Sequence, residues 1–249
     1  MGYEMDIEKT MRYLRSPENK KDCKKFILEG QRLNKLIKYY SSRYEELYKE
    51  ISANVVREEY SVKGEIIHRG YYCPSLIQDI VIGNSNRGKI LKRKTSRSHL
   101  TYKYGFDSED RLVVVEQLDG GSIEVIVHKG DKTVGLSFDL EGCIESLAEC
   151  IYQNGKISSY VFAVAWAGKG ECEYRREDYN YSADGLEYVD MFDFLGGVGE
   201  PILNHERYLF RHDEEGYLSQ YYVVEYEGDR VKKSFWDGHP FKVYLKRKI

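Results

Sequence analysis

The sequence predicts an α+β protein, with a helical N-terminal segment packed on a long, Tyr-rich antiparallel β-meander. Three observations predict it. Apolar residues recur at helical spacing only near the N-terminus. From about residue 100 onward, short alternating runs are separated by tight-turn dipeptides. Tyrosine is over-represented, at 23 residues against 9 Phe, and its flat apolar body and polar tip suit half-buried strands and binding faces. The expected organisation is a helical segment over 1–52 and a β-meander region over 53–249.

The helix is expected from about Glu18 to Ile51. Phe26, Ile27, Leu33, Leu36, Ile37, Tyr40, Tyr44, Leu47, Tyr48 and Ile51 form one stripe at three- and four-residue steps, the mark of an amphipathic helix. Ser16-Pro17-Glu18 is a good start, because Ser can cap and Pro fits the first turn. Gly30 and Ser41-Ser42 are candidate kinks, and a shorter helix over about Met5 to Arg15 precedes. Beyond it, Asn54 to Val62 and Gly64 to Tyr72 read as strands around a turn. Leu76 to Ile82 fits strand or helix, and Asn84 to Gly88 reads as a loop.

From Leu100 onward the expected strands include Leu112 to Glu116, Ser122 to His128, Thr133 to Phe138, Ser158 to Trp166, Tyr217 to Tyr226 and Arg230 to Trp236. Between them lie Asp119-Gly120-Gly121, Lys129-Gly130-Asp131, Asn154-Gly155, Asp184-Gly185, Glu215-Gly216 and Glu227-Gly228-Asp229. Asn-Gly and Asp-Gly supply the positive φ angles of tight hairpins. Strands joined this closely are antiparallel neighbours, hence a meander.

The hairpins resemble one another. Tyr104-Gly105-Phe106-Asp107-Ser108-Glu109-Asp110-Arg111-Leu112 resembles a YD-repeat, the unit of Rhs and teneurin-type proteins, with Asp110 where the repeat has Gly. Phe210-Arg211-His212-Asp213-Glu214-Glu215-Gly216-Tyr217-Leu218 is similar, with His212 for the second aromatic. Tyr179 to Leu186 is a weaker copy with Ser182 for Asp, and Phe138 to Ile144 a shortened one. The physical content of the unit is an Asp that accepts from the following turn and a Gly in the left-handed position. The resemblance covers about a fifth of the chain and implies architecture more than function. Because such hairpins accompany toxin genes, it implies a non-catalytic bacterial binding protein, an immunity protein of a polymorphic toxin system whose partner is a cognate toxin domain.

Charge divides along the chain. Through Gly105 there are 22 basic and 13 acidic residues, a balance of +9, and thereafter 16 against 28, a balance of −12. In the acidic part, Asp178, Tyr179, Tyr181, Asp184, Glu187, Tyr188 and Asp190 interleave carboxylates with tyrosines. They are the expected partner-binding face for a cationic protein. In the basic part, Arg87, Lys89, Lys92, Arg93, Lys94, Arg97 and Lys103 lie in a stretch free of acids from Asp79 to Asp107. They are the candidates for the alternative, a nucleic-acid-binding protein.

Composition and motifs exclude several classes. No run approaches the roughly 20 apolar residues of a membrane span, and the acidic, polar Met1 to Asp6 does not open a signal peptide. The 5 cysteines include no CxxC pair, so reduced thiols in a cytoplasmic protein are expected. His68, His99, His128, His205, His212 and His239 are scattered without metal-ligand spacing. Gly168-Lys169-Gly170 and Leu195 to Pro201 lack phosphate-loop spacing and read as turns. No catalytic residue, metal or cofactor is expected, and the oligomeric state is open.

Overall fold

The computed structural model describes residues 17–64, 67–81, 87–91, 99–165, 173–183, 185–195, 202–227, 230–232 and 241–242. Three α-helices are described: α1 (Pro17–Tyr40), α2 (Tyr44–Ser52) and α3 (Leu76–Val81). Fourteen strands accompany them: β1 (Arg57–Val62), β2 (Lys89–Ile90), β3 (Leu100–Phe106), β4 (Leu112–Gln117), β5 (Ile123–Lys129), β6 (Lys132–Phe138), β7 (Ile144–Gln153), β8 (Lys156–Val164), β9 (Glu173–Ser182), β10 (Gly185–Leu195), β11 (Ile202–His212), β12 (Leu218–Glu227), β13 (Arg230–Lys232) and β14 (Phe241–Lys242). The chain forms two compact units, residues 36–165 and a terminal unit of 1–35 with 166–249. The division falls inside α1, not between helices and sheet.

The helical stripe forms as two helices rather than one. Cys23, Phe26, Gly30, Leu33, Ile37 and Tyr40 are buried at alternating three- and four-residue steps, and α1 runs through Gly30 without a break. It ends at Ser41-Ser42, where the Ser41 hydroxyl donates to Lys38 O at 2.9 Å and the Arg43 amide to Tyr40 O at 3.0 Å. Serine competes for backbone carbonyls in this way and favours helix ends.

In the 36–165 unit the strands pair in the order β8-β7-β6-β5-β4-β3-β1-β2, all antiparallel. One face carries the cross-strand row Gly105, Val114, Val125, Leu136, Leu147 and Ala163, whose five side chains are almost wholly buried. On that face Tyr44 of α2 packs on Phe138, ring centroids 4.9 Å apart. The opposite face carries Tyr102, Tyr104, Val115, Glu124, Ile126, Gly135, Cys150 and Tyr160. A strap, residues 67–75, crosses it. The Tyr102 hydroxyl donates to Ile67 O at 2.8 Å, the Tyr71 amide to Tyr104 Oη at 2.9 Å, and the Tyr72 ring meets Tyr104 edge-on at 4.8 Å.

The strap replaces the strand expected over Gly64 to Tyr72. Arg69 and Gly70 are both left-handed, with φ of 58° and 50°, and a 3-10 turn follows at Gly70–Tyr72. Two consecutive left-handed residues cannot continue a pleated strand. A Cβ at Gly70 would also strike the Tyr102 ring.

In the terminal unit, β9, β10, β11 and β12 form an antiparallel meander, with β13 and β14 both pairing β12. Helix α1 lies on one end of one face. Phe26 packs on Phe192 at 5.0 Å and on Phe194 at 6.5 Å, and Tyr174 Oη donates to Phe26 O at 2.9 Å. The overall class is therefore a large antiparallel β-meander with few helices.

Three hairpins share one loop. In β3–β4, β6–β7 and β11–β12, the first Oδ1 of Asp107, Asp139 or Asp213 accepts from the amides two and four residues on, at 2.8–3.1 Å. The third residue after each Asp, Asp110, Gly142 or Gly216, is left-handed at φ 60°, 80° and 79°. Each loop also carries a register shift just before its Asp. This is the geometry of a type I turn closed by a left-handed bulge residue. Asn154 and Gly155, both at positive φ, form the expected two-residue turn between β7 and β8.

Candidate functional site

Strand alternation decides which of the expected partner-binding residues share a surface. The registers place Arg176 and Asp178 of β9, Tyr188, Asp190 and Phe192 of β10, His205, Arg207 and Leu209 of β11, and Tyr222 and Tyr226 of β12 on the face that α1 partly covers. Tyr179 and Tyr181 project from the other face. There Tyr179 is buried and its hydroxyl donates to Glu177 at 2.6 Å, while burial pushes the Tyr181 phenol up to about 12. Glu187 is exposed beside the β10 bulge, and Asp184 lies outside the described residues. The seven residues therefore do not form one surface. Asp178, Tyr188 and Asp190 do share one.

That shared face is built of stacked flat groups. The rings of Phe192, His205 and Tyr226 stack in sequence across β10, β11 and β12, centroids 4.3 and 4.5 Å apart. The Arg207 guanidinium lies over Tyr188 at 4.2 Å and near Tyr226 at 5.6 Å, and Arg211 lies over Tyr222 at 5.0 Å. Asp190 ties the rows together. It accepts from Arg207 Nε at 2.8 Å, Arg207 Nη2 at 2.9 Å and His205 Nε2 at 2.9 Å. Burial alone would raise the Asp190 carboxyl, but these hydrogen bonds and charges hold it below its ordinary value. Asp178 likewise holds Arg176, at 2.9–3.0 Å. The groups are half-buried, and Leu209 and Arg211 at the margin are exposed. The carboxylates here already hold arginines, so the face is not a field of uncompensated acid.

The opposite face of this sheet carries carboxylates with tyrosine donors. Glu177 is fully buried, and Tyr208 Oη donates to Glu206 at 2.6 Å. Burial, with Glu225 and Asp193 nearby, raises the Glu206 carboxyl above its ordinary value even though the Tyr208 bond opposes this.

The 36–165 unit holds a second constellation, sealed under the strap. Arg69 Nε reaches both Glu124 oxygens at 3.0 Å and its Nη2 reaches Oε1 at 2.7 Å. His68 Nε2 meets Glu124 Oε1 at 3.1 Å, and Tyr160 Oη meets His68 Nδ1 at 2.9 Å. A carboxylate only accepts, so Nε2 carries the ring proton and Nδ1 takes the Tyr160 hydroxyl. Burial would raise the Glu124 carboxyl, but Arg69 and His68 hold it far below the usual carboxylate range. Gly135 provides the room, because a Cβ there would overlap Glu124 Oε1 and Arg69 Nη2. The Arg69, His68 and Glu124 side chains are 5%, 8% and 6% exposed, which leaves substrate no approach.

Comparison with protein-family models, curated proteins and solved structures found no match. The chemistry has to be read from the side chains themselves.

Of the basic stretch, Lys92, Arg93, Lys94 and Arg97 lie outside the described residues. Arg87 donates to Tyr71 O at 3.2 Å, and Lys89 is exposed on β2. Lys103 is held between Glu58 at 2.9 Å and Glu116 at 3.0 Å, so it is committed within the sheet. A cleft of about 620 Å³ lies in the same unit, lined by Leu47, Ile51, Val113 and Val127 together with Glu50, Arg111 and His128. Cys23, Cys73 and Cys150 are buried thiols, and Cys143 is an exposed one. Among the described residues, no group of three or more His, Cys, Asp or Glu could hold a metal, and no helix is long and apolar enough to cross a membrane.

Sequence reasoning missed His68, Glu124, Arg207, His205 and Tyr226. For His205 and Arg207 a signal existed. His205, Arg207 and Leu209 alternate with Glu206, Tyr208 and Phe210, a period-2 pattern that marks one strand with two different faces. His68 and Glu124 lie 56 positions apart in the chain, and no local pattern connects them.

Proposed function

We propose that this chain is a non-catalytic binding protein that engages another protein through the Tyr188–Asp190–His205–Arg207–Tyr226 face of its terminal unit. The observation that supports this is the stacked arrangement of Tyr, His and Arg on a rigid sheet. Tyrosine and arginine dominate binding hot spots, because they bring large contact area with few freely rotating bonds. Asp190 fixes Arg207 and His205 before any partner arrives, so little side-chain entropy is lost on binding.

The partner class is taken from the hairpin resemblance, which suggests a toxin domain occluded by its immunity protein. Because the acids are paired within the sheet, recognition rests on aromatic and guanidinium contacts more than on net negative charge. The test is capture of a partner from a lysate of the source organism by the wild-type chain and by Arg207→Ala and Tyr188→Ala. The reading expects one stoichiometric protein, held to moderate salt and lost with both variants. Nucleic acid eluting as salt rises would support the basic stretch instead.

A further inference from the structure

We propose that the strap over residues 67–75 is an acid-released latch, unseated from its sheet face when His68 takes up a proton. The geometry makes His68 the pivot. Its ring is the link between Glu124 of β5 and Tyr160 of β8, and it packs against the Phe162 ring of β8 at 5.0 Å. The next residue, Arg69, is held in a left-handed conformation at φ 58°, which L-residues adopt only at an energetic cost. The seated strap therefore depends on its side-chain anchors.

Both His68 nitrogens are engaged by the neutral ring. Nε2 donates to Glu124, and Nδ1 accepts from Tyr160. Proton uptake at Nδ1 turns that acceptor into a donor, so the buried Tyr160 hydroxyl has to turn its hydrogen away and accept instead. It also adds a second cation beside a carboxylate that Arg69 already grips with two nitrogens. The groups facing the ring and its partners, among the described residues, are Glu124 and Arg69, the Tyr160 hydroxyl, and the Cys150 thiol and Tyr152 phenol near Arg69. None supplies a further anion there, since burial keeps Cys150 protonated and lifts Tyr152 to about 12.

The sign follows from linkage. Burial lowers the His68 value below its ordinary 6.5; Glu124 opposes this and Arg69 adds to it. The released strap thus binds the proton more tightly than the seated one. The seated state is favoured fully above about pH 6.5 and loses ground as pH falls below it, by up to about tenfold per pH unit. Glu124, held far lower, stays charged through that window. Release would uncover the row of Tyr102, Tyr104 and Phe106 now beneath the strap.

The reporter is the Tyr71 amide, which donates to Tyr104 Oη. Its hydrogen-exchange protection, corrected for the intrinsic pH dependence of exchange, is measured from pH 7.5 to 5.0 in the wild type and in His68→Gln. Glutamine offers a donor and an acceptor but does not titrate. The expected result is a severalfold fall in Tyr71 protection between pH 6.5 and 5.5 in the wild type, about fivefold at most for a released-state value of 6.5, with β6 and β7 amides unchanged, and a flat profile in the variant. A flat wild-type profile, or the same fall in His68→Gln, would overturn the latch. Should the variant fail to fold, the wild-type His68 ring resonances decide. Native-state shifts constant through the window while Tyr71 protection falls support the latch, and native-state titration near pH 6.5 with Tyr71 protection unchanged sinks it.

Discussion

The two units use the same hairpin loop and the same antiparallel ladder but treat charge in opposite ways. In the 36–165 unit, Arg69, Glu124 and His68 are sealed beneath a crossing strap. In the terminal unit, Arg207, Asp190 and His205 form a similar triad that stays half-buried on the sheet face, with Tyr188 and Tyr226 against the guanidinium. A buried triad fixes how a segment crosses the sheet. A half-buried triad on a rigid face leaves its aromatic and guanidinium surfaces for something else to contact. The difference separates a structural anchor from the proposed recognition surface, with nearly the same residue types.

The contrast is broken most directly by cutting each triad at its carboxylate. Glu124→Ala leaves the Arg69 guanidinium buried without its anion, so urea unfolding should show a loss of about 3–5 kcal/mol. Asp190→Ala should cost about 1 kcal/mol or less, because its partners can reach water. Equal losses at the two sites would erase the distinction. Gly135→Ala probes the sealed site from the other side. The new methyl must displace Glu124 or Arg69, for an expected cost of about 1–3 kcal/mol in the same measurement.

The shared loop supplies the smaller tests. Asp139→Ala and Asp213→Ala each remove an acceptor of two backbone amides, for an expected loss of about 1 kcal/mol in thermal unfolding. The effect should be similar in both units if the loop is one device used twice. Asp110→Gly should be near neutral or mildly stabilising, by less than about 1 kcal/mol. It relieves a left-handed Asp while giving up an exposed ion pair with Arg57 at 2.5 Å.

The legible parts of the fold were those written locally. The apolar stripe of α1 and α2 and the Asn154-Gly155 turn could be read because their physics spans a few residues. So could the Asp-to-amide loops at Asp107, Asp139 and Asp213. The strap could not. Ile67, Tyr71 and Tyr72 look like strand residues, and only the left-handed pair Arg69–Gly70, fixed by Tyr102, Tyr104 and Glu124, turns the chain aside. The acidic run from Asp178 to Asp190 looks like one surface in the sequence, because net charge hides the alternation that separates Asp178 and Asp190 from Tyr179. Arg176 lies only 2 residues from Asp178, but Asp190 is held by Arg207, 17 residues away on β11, a pairing beyond any local pattern.

The measurement that tests the central claim most directly is the affinity of the captured partner for the wild type, Arg207→Ala, Tyr188→Ala and Gly135→Ala, each first shown to be folded. A recognition face on the terminal unit predicts at least tenfold weaker binding for Arg207→Ala and Tyr188→Ala, about 1.4 kcal/mol or more, and wild-type binding for Gly135→Ala. Undiminished affinity in both face variants would contradict it.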